Sequence, residues 1–312
     1  GQLVTVTGAS HKPKTFHGMN EIGIIQDGAV FIKDGNFIDI GTTKKLKKKY
    51  TGANIKIIDA AGAVVLPGFV DSHTHAVFGG NRTGEFVQRI QGKTYLEILK
   101  KGGGIVNTVE QTRKLKFKKL AETSRKYLDT MLLHGTTTVE IKSGYGLDIN
   151  TELKILKVIH HLQKTHSMDI VATFLGAHMI PPEYKNDPDT YIKLVCNVLP
   201  KVKSYATFCD TFCDVGAFSI KQSERVLKTA KSLGFRLKIH TNEFEDIGGV
   251  SLAIQLEAVS ADHLDNIKHR DIVRLKESNV ICVLLPGVPF FLMKDTYAPA
   301  QKMIENGLPI AL

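Results

Sequence analysis

From residue 69 onward the chain alternates strand-like and helix-like segments, and this alternation is the strongest constraint on its fold. Apolar stripes at helical spacing, as in residues 151–164, separate short β-branched runs, as in residues 136–142. Seven complete strand–helix units precede the start of an eighth strand at residues 308–312. Repeated units of this kind imply parallel strands joined by right-handed crossovers. The pattern predicts an α/β fold, a (β/α)8 TIM-like barrel, whose active site lies at the carboxyl ends of the strands.

The first 66 residues follow a different pattern, which predicts a separate and smaller β unit. Asp34-Gly35 separates two apolar runs, and this dipeptide accepts the positive φ angles of a type I′ hairpin turn. Residues 54–59 and 63–66 add two more strand-like runs. The segment is too short for a sheet core of its own, so it needs partner strands from elsewhere. We therefore expect two domains, residues 1–66 and residues 67–312.

Charge and composition narrow the class of protein. The net charge of +10 arises largely from lysines on predicted helices, and the lysine run at residues 44–49 is typical of a solvated face. Neither interleaved aromatic residues nor a known nucleic-acid module accompanies it, and no apolar run reaches the ~18 residues of a membrane span. We therefore expect no nucleic-acid or membrane partner, although the charge attracts an anionic substrate.

The four cysteines do not form a dense disulfide framework, and no secretory signal opens the chain. A cytoplasmic location is therefore the default expectation. Cys209 and Cys213 lie four residues apart on a predicted strand and so face the same side. We interpret them as core residues rather than ligands.

Two histidines close the first barrel strand, in residues 69–75 (FVDSHTH). Residues i and i+2 of a strand face the same side, so His73 and His75 direct two imidazoles at one point. Neutral imidazole is the commonest metal ligand, and two of them form half of a tetrahedral zinc site. A Pro-Gly pair before the strand and a Gly-Gly pair after it are typical of a strand tip that opens into a functional loop. Alone, the pair also fits two unrelated histidines.

His240 is predicted at the tip of strand five, where barrel closure brings it to the same point as His73 and His75. Together they give three protein ligands and an open position for water. A lone histidine is more often a satisfied core residue, but three at strand ends favour a metal site. Glu243 is then the candidate proton carrier beside water at the metal. His263 either orients that water or pairs with the preceding aspartate, and spacing alone leaves both open.

Polar residues able to bind a carboxylate group of a substrate follow strands one and two. Arg82 and Tyr145 lie in glycine-rich loops there, and a charged hydrogen bond from such residues contributes about 1.5–3 kcal/mol. The usual role of a loop arginine is surface solvation, which is the alternative for Arg82. His178, after strand three, could donate a hydrogen bond to a substrate carbonyl or ring nitrogen. The other predicted helical histidines are interpreted as surface or packing residues.

Several stretches of the chain resemble one family closely. They are residues 66–75 (LPGFVDSHTH), 78–82 (FGGNR), 102–105 (GGGI), 142–147 (KSGYGL), 176–178 (GAH), 240–243 (HTNE) and 260–264 (SADHL). The first is similar to the first strand of the metal-dependent amidohydrolase superfamily. The others, and KSGYGL above all, resemble the imidazolonepropionase family within it. The similarity runs from about residue 21 to the last residue.

The resemblance implies a metal-dependent cyclic amidohydrolase that converts 4-imidazolone-5-propanoate to N-formimidoyl-L-glutamate in histidine degradation. It implies one zinc or iron ion per chain on His73, His75 and His240. The implied substrate-binding residues are Arg82, Tyr145, His178 and Glu243, and the implied catalytic residues are Glu243 and His263. The partner is then a small anionic heterocycle, and a homodimer stays open as the oligomeric state. Residues 1–66 are expected to be part of a small β-sandwich.

The family pattern places a fourth metal ligand, an aspartate, a few residues beyond the last one here, followed by strands that complete the sandwich. On this basis both domains are expected to be incomplete, with the barrel cut at strand eight. A chain without that aspartate is expected to be a poor catalyst, because losing a general base costs a factor of about 10²–10⁴ in rate. Supplying the segment is expected to restore zinc affinity, stability and activity together.

Two other functions stay open. An aminohydrolase of a nucleobase-like heterocycle also fits, since the His-x-x-Glu of residues 240–243 occurs in mononuclear deaminases. A carboxylate on the substrate favours the first function, because Arg82 and Tyr145 have little use for a neutral base. A non-catalytic metal-binding relic is the second alternative. We further expect a mononuclear site, because residues 212–216 lack the carbamylated lysine that binuclear relatives carry on strand four.

Overall fold

The structure, a computed structural model, describes most of the chain as two compact units. It describes residues 1–8, 12–52, 54–60, 62–93, 97–98 and 102–312. The units are Gly1–Gly68 and Phe69–Leu312. No helix in the described part of the chain is long and apolar enough to cross a membrane.

The first unit contains two small sheets. Its strands are β1 (Gln2–Val4), β2 (Ile24–Gln26), β3 (Gly28–Lys33), β4 (Asn36–Thr42) and β5 (Val64–Val65). The three-stranded sheet has the order β2-β1-β5, and β3 and β4 form an antiparallel hairpin. A 3-10 helix covers Phe16–Asn20, and an α-helix covers Thr43–Lys49. The β-sandwich expected for this part of the chain stays a prediction.

Two sequence expectations for the first unit have opposite outcomes. The hairpin turn is confirmed, because Asp34 and Gly35 have φ angles of 51° and 75°, as a type I′ turn requires. The strand predicted at residues 54–59 is wrong, since the residues described there have no regular secondary structure. Ile57 and Ile58 are 67% and 81% exposed, so the apolar run has no sheet face to cover.

The second unit is a nearly closed barrel of eight parallel strands. They are β6 (Phe69–Thr74), β7 (Thr136–Lys142), β8 (Asp169–Ala177), β9 (Phe208–Cys213), β10 (Arg236–Thr241), β11 (Ser260–His263), β12 (Ile281–Val283) and β13 (Ile310–Ala311). Each strand pairs with the next in chain order. The remaining seam, between β6 and β13, is spanned by a 3.3 Å hydrogen bond from Ser72 Oγ to the Leu312 carbonyl. The predicted (β/α)8 barrel is confirmed.

Helices connect the strands. They cover Thr83–Ile90, Ile105–Lys114, Phe117–Leu133, Ile149–Thr165, Pro188–Val202, Ile220–Ser232, Gly249–Gln255, His269–Lys276, Gly287–Leu292 and Ala300–Glu305, with a 3-10 turn at Pro182–Tyr184. Several begin at side-chain caps, as where Asp148 accepts a 2.8 Å bond from the Thr151 amide. The apolar core lies between the strands and these helices, with Ile141, Ile155 and Ile159 fully buried.

The barrel interior is polar, which is unusual for this fold. Most barrels of this type fill the interior with branched apolar side chains. Here Lys142 on β7 contacts Asp210 on β9 and Asp262 on β11, strands that do not neighbour one another, so these side chains meet inside the barrel. The alternate residues, such as Ile141 and Ile239, are apolar and pack toward the helices. Buried charges are costly unless paired, so this interior indicates a functional centre.

Candidate metal centre and active site

The three predicted metal ligands lie together at the carboxyl ends of β6 and β10. The ring centroids are 4.5 Å apart for His73 and His240, 5.5 Å for His73 and His75, and 5.7 Å for His75 and His240. The strand geometry accounts for this, because His73 and His75 share one face of the chain and β10 brings His240 opposite to it. The predicted convergence is therefore present, and the ligand roles stay a prediction.

Two more histidines join the cluster. The His263 ring lies 5.3 Å from His73 and 5.1 Å from His240, and the His178 ring lies 4.8 Å from His75. By the spacing of their nitrogens, two overlapping triads could hold a metal ion. They are His73, His240 and His263, and His75, His178 and His240, with nitrogens within 4.8 Å of one another. His240 is common to both and is the centre of the cluster.

The protonation and hydrogen bonding of the histidines fit a metal ion. Among the described residues, buried ring nitrogens without a hydrogen-bond partner include His75 Nδ1 and both nitrogens of His240. Burial lowers the pKa of His73 and His75 well below the ordinary value, and it lowers the pKa of His178 to about 3. The imidazoles of His73, His75 and His178 are therefore neutral at physiological pH, which is the form that binds metals. Unpartnered, neutral and converging nitrogens are what a metal ion satisfies.

Buried carboxylates lie behind two of these histidines. Asp262 Oδ2 is 2.6 Å from His73 Nδ1, and Asp210 Oδ2 is 3.0 Å from His240 Nδ1. The second contact lacks the angle of a hydrogen bond, although Asp210 Oδ1 accepts one from the His240 amide at 3.2 Å. A carboxylate on one ring nitrogen orients the imidazole and directs the other nitrogen to a metal. Asp262 and Asp210 therefore hold the His73 and His240 rings in orientations suited to binding a metal ion.

Two buried lysines neutralise these carboxylates. Lys142 Nζ lies 2.8 Å from Asp210, and Lys238 Nζ lies 3.2 Å from Asp262. Burial opposes ionisation of both aspartates, but the charge of Lys142 lowers the pKa of Asp210, and the charges of Lys238 and Lys142 lower the pKa of Asp262. Both carboxylates are therefore ionised at neutral pH.

Glu243 has the environment of a proton carrier. Its carboxylate is buried and lies 3.6 Å from His263 Nδ1. Burial raises the pKa of Glu243 to about 7; the Lys294 charge opposes this, while Asp265 and Asp214 reinforce it. A group with a pKa near the working pH both accepts and donates protons readily. The predicted role of Glu243 has this physical basis.

The loop that carries Glu243 is fastened by a buried carboxylate. Asp214 Oδ2 accepts bonds from the backbone N–H groups of Glu243 at 2.7 Å and Phe244 at 3.1 Å, and Oδ1 accepts from Glu245 at 3.0 Å. We call Asp214 with these N–H groups the Glu243 clasp. It fixes the backbone where Glu243 leaves the strand, although Asn242 takes a φ of 57° there, an unfavourable angle for a residue with a side chain.

A second carboxylate fastens the loop that carries Tyr145. Glu152 Oε1 accepts bonds from the N–H groups of Gly146 at 2.7 Å and Leu147 at 3.0 Å, and Oε2 accepts from Gly144 at 2.9 Å. We call this group the Tyr145 clasp. Glycine is required at Gly144, where φ is 107° and a Cβ atom would lie 2.8 Å from the Leu175 carbonyl oxygen.

The predicted substrate residues surround this loop. The Tyr145 ring lies 5.3 Å from both His75 and His178, and His178 Nδ1 is 3.0 Å from the Gly144 carbonyl. Arg82 is half-buried, and its guanidinium lies 5.8 Å from the Phe291 ring centroid. Burial raises the pKa of Tyr145, and the Arg82 charge opposes this. Tyr145 therefore stays protonated and can donate a hydrogen bond, and the Arg82 guanidinium is near enough to affect the pKa of its hydroxyl.

Sequence reasoning missed the supporting residues. Asp210, Lys142 and Lys238 were given no role, and neither were the two clasp carboxylates. A signal was present for Lys142, because it alternates with Glu140 on a predicted buried strand, where two charges on one face are unusual. Cys209 and Cys213 are fully buried, as predicted for core residues.

Comparisons with known proteins agree with this site. The profile of the Amidohydrolase family matches residues 64–288. The chain is 47% identical over 314 residues to the imidazolonepropionase of Alkaliphilus oremlandii (strain OhILAs), which covers 100% of this chain and 74% of that protein. The chain belongs to the imidazolonepropionase family. The imidazolonepropionase of Alkaliphilus metalliredigens (strain QYMF) is 44% identical, again with 100% of this chain and 74% of that protein covered.

Solved structures also share the fold of this imidazolonepropionase-family chain. E. coli guanine deaminase superposes with a TM-score of 0.71 at 17% identity, covering 100% of this chain and 72% of that one. An identity this low shows the fold alone. The deaminase alternative therefore gains no support beyond the shared barrel.

Proposed function

We propose that the chain hydrolyses the cyclic amide of 4-imidazolone-5-propanoate to N-formimidoyl-L-glutamate, with one zinc or iron ion on His73, His75 and His240. The observation that carries this proposal is the 47% identity to an imidazolonepropionase across the whole chain. The unpartnered nitrogens of His75 and His240 support the metal site. The neutral state of the His73 and His75 imidazoles supports it as well.

The loop residues bind and orient the substrate. The Arg82 guanidinium and the Tyr145 hydroxyl hold the propionate carboxylate, because one supplies a charge and the other a protonated donor. His178 donates its Nδ1 proton to the Gly144 carbonyl. Nε2 of the neutral ring therefore accepts from a ring N–H of the substrate, the opposite of the direction expected from the sequence. Arg82 thus binds the propionate end of the substrate, which a neutral base lacks.

Glu243 moves the proton. A divalent ion at the histidine cluster would act as a Lewis acid on the ring carbonyl and on water. Glu243, ionised above its pKa of about 7, takes a proton from the attacking water and returns it to the ring nitrogen as the C–N bond breaks. His263 Nδ1 lies 3.6 Å from Glu243 Oε2, so the two groups orient the attacking water together.

Product analysis tests this function against the aminohydrolase alternative. Ring opening adds one water across the amide bond and keeps both nitrogens in the product, whereas an aminohydrolase releases ammonia. We expect formation of formimidoylglutamate without ammonia, loss of activity on chelation and recovery with zinc or iron. Ammonia release from a nucleobase-like heterocycle would support the deaminase. Bound metal without turnover of either substrate would support the non-catalytic relic.

The remaining expectations are part of the same proposal. We propose that the protein acts in the cytoplasm, in keeping with its four free cysteines. A small anionic heterocycle as partner, without nucleic acid or membrane, and a homodimer stay predictions. Size-exclusion chromatography with light scattering measures the oligomeric state.

A further inference from the structure

The ammonium of Lys142 is enclosed by carboxylates inside the barrel. Its side chain is fully buried, and Nζ lies 2.9 Å from Glu140 Oε1, 2.8 Å from Asp210 Oδ2 and 3.4 Å from Asp262 Oδ2. Glu140 is itself held by Thr173 Oγ1 and by the Thr74 amide. Three carboxylates from three strands therefore converge on one cation. We call Glu140, Asp210 and Asp262 the carboxylate cage.

The carboxylate cage is continuous with the histidine cluster. Asp262 Oδ2, which contacts Lys142, is also 2.6 Å from His73 Nδ1, and Asp210 Oδ2 is also 3.0 Å from His240 Nδ1. His240 is only 2% exposed, and neither of its ring nitrogens has a hydrogen-bond partner. A buried imidazole whose Nε2 has no hydrogen-bond partner therefore borders the cage. Carboxylate oxygens and imidazole nitrogens are both ligands of divalent cations in proteins.

We propose that Lys142 occupies the position that a second metal ion would otherwise take, and so limits the centre to one ion. The inference rests on the single metal ion of the proposed function. In two-metal hydrolases the ions lie about 3.5–4 Å apart and share carboxylates. Here the carboxylates bridge an ammonium on one side and metal-binding imidazoles on the other. The single positive charge of Lys142 neutralises part of the negative charge of the carboxylate cage. Its ammonium group excludes a further divalent ion from that position.

Lys238 does not have this role, although it lies nearby. Its ammonium is 3.2 Å from Asp262, but its other contacts are neutral, with Ser260 Oγ at 2.7 Å and the Ser72 carbonyl at 3.3 Å. Removing Lys238 leaves Lys142 in the cage. Lys238 therefore provides a matched control, a second buried lysine on the same aspartate.

Three variants test the inference with Zn²⁺ alone as the probe. Lys142→Ala removes the charge and leaves space for an ion, whereas Lys142→Met removes the charge but fills the space. Lys238→Ala removes the neighbouring charge only. Each metal-free protein is dialysed against Zn²⁺ and its metal content measured, and the melting temperature is recorded as Zn²⁺ is added.

We expect one Zn²⁺ per chain for the wild type, Lys142→Met and Lys238→Ala, and two for Lys142→Ala. Added Zn²⁺ should also raise the melting temperature of Lys142→Ala more than that of Lys142→Met. One ion in Lys142→Ala, or failure of this variant to fold at any Zn²⁺ concentration, would overturn the inference, because a cation should replace the ammonium. No ion or two ions in the wild type would instead contradict the proposed metal count.

Discussion

The buried carboxylates of the barrel fall into two groups that differ in their partners. Inside the strands, Asp210 and Asp262 contact the side chains of histidines and lysines. At the strand ends above, Asp214 on the turn after β9 and Glu152 in the first turn of the helix Ile149–Thr165 accept bonds from backbone N–H groups of the loops. The first group sets the charge and orientation of the metal ligands, and the second fixes the backbone conformation of the loops. We infer that metal binding depends on the strand layer, and substrate binding and proton transfer on the loops.

The largest expected effect is that of Glu243→Gln. The amide cannot accept the proton, so we expect the rate of ring opening to fall by about 10²–10⁴. The wild-type rate should also decline below about pH 7, where Glu243 becomes protonated, since its pKa is about 7. This inflection should be absent in the variant. Metal content should stay at the wild-type value, and a loss of metal in Glu243→Gln would break the division between the two groups.

Asp262→Ala is expected to act on the strand layer. It leaves Lys238 facing a neutral group and removes the partner of His73, so unfolding free energy should fall by about 3–5 kcal/mol. Metal affinity should fall about 10–100-fold, as for other residues that orient a ligand. Chemical denaturation and zinc titration measure the two effects. Glu224→Ala, which removes an exposed helical ion pair with Lys228, is the control and should cost no more than about 0.5 kcal/mol.

Arg82→Met is expected to affect substrate binding alone. Loss of a charged contact of about 1.5–3 kcal/mol should raise KM by about tenfold to a hundredfold. Metal content and melting temperature should stay unchanged. Arg270→Met removes an arginine that is 67% exposed and serves as the control. An unchanged KM would show that Arg82 is a surface residue and would reopen the deaminase alternative.

Glu152→Gln tests the Tyr145 clasp. A side-chain amide has one acceptor oxygen. With an NH2 group in place of Oε2, the Gly144 N–H loses its 2.9 Å bond and keeps only the 3.2 Å bond to Oε1, at a cost of about 1–3 kcal/mol. Because the loop carries Tyr145, we expect KM to rise by up to about tenfold with no loss of metal. Glu122→Gln, on an exposed helix face, is the matched change. Loss of metal in Glu152→Gln with KM unchanged would assign Glu152 to the strand layer.

The smallest effect concerns stability, again through Glu243. Its pKa is raised from 4.5 to about 7 by burial, so the protonated form favours folding and the ionised form costs stability above pH 7. Glu243→Gln should therefore be more stable than the wild type at pH 8, by about 1–3 kcal/mol. The difference should disappear below pH 4.5, where both folded and unfolded states are protonated. Thermal unfolding at the two pH values measures it.

The barrel could be predicted because its strands and helices have clear periodicity. The strand predicted at residues 136–142 has the bounds of β7, and Cys209 and Cys213, predicted to share a strand, both lie on β9. Helices Thr83–Ile90 and Gly287–Leu292 were missed, because they lie in loops where glycine and proline obscure the pattern. The strand expected at residues 54–59 shows the opposite error, since an apolar run forms a strand only beside a partner.

The part of the site that depends only on where residues lie along their strands could be predicted. The convergence of His73, His75 and His240 follows from strand alternation and barrel closure. The role of Lys142 could not be found this way, because a lysine on a strand is ordinarily solvated and two of its three partners, Asp210 and Asp262, are 68 and 120 residues away along the chain. Such contacts depend on which strands face one another across the barrel. That is a property of the closed fold rather than of any segment.

The clasps have a consequence for how such an enzyme can change over time. Asp214 binds main-chain N–H groups of Glu243, Phe244 and Glu245, and every amino acid except proline offers that group. Substitution at Phe244 or Glu245 therefore alters the shape and charge of the surface at the carboxyl ends of the barrel strands, while Glu243 keeps its position. Mutation can thus explore new substrates at these positions without first losing the reaction. A proline there is the exception, since it would remove one of the hydrogen bonds that hold the loop.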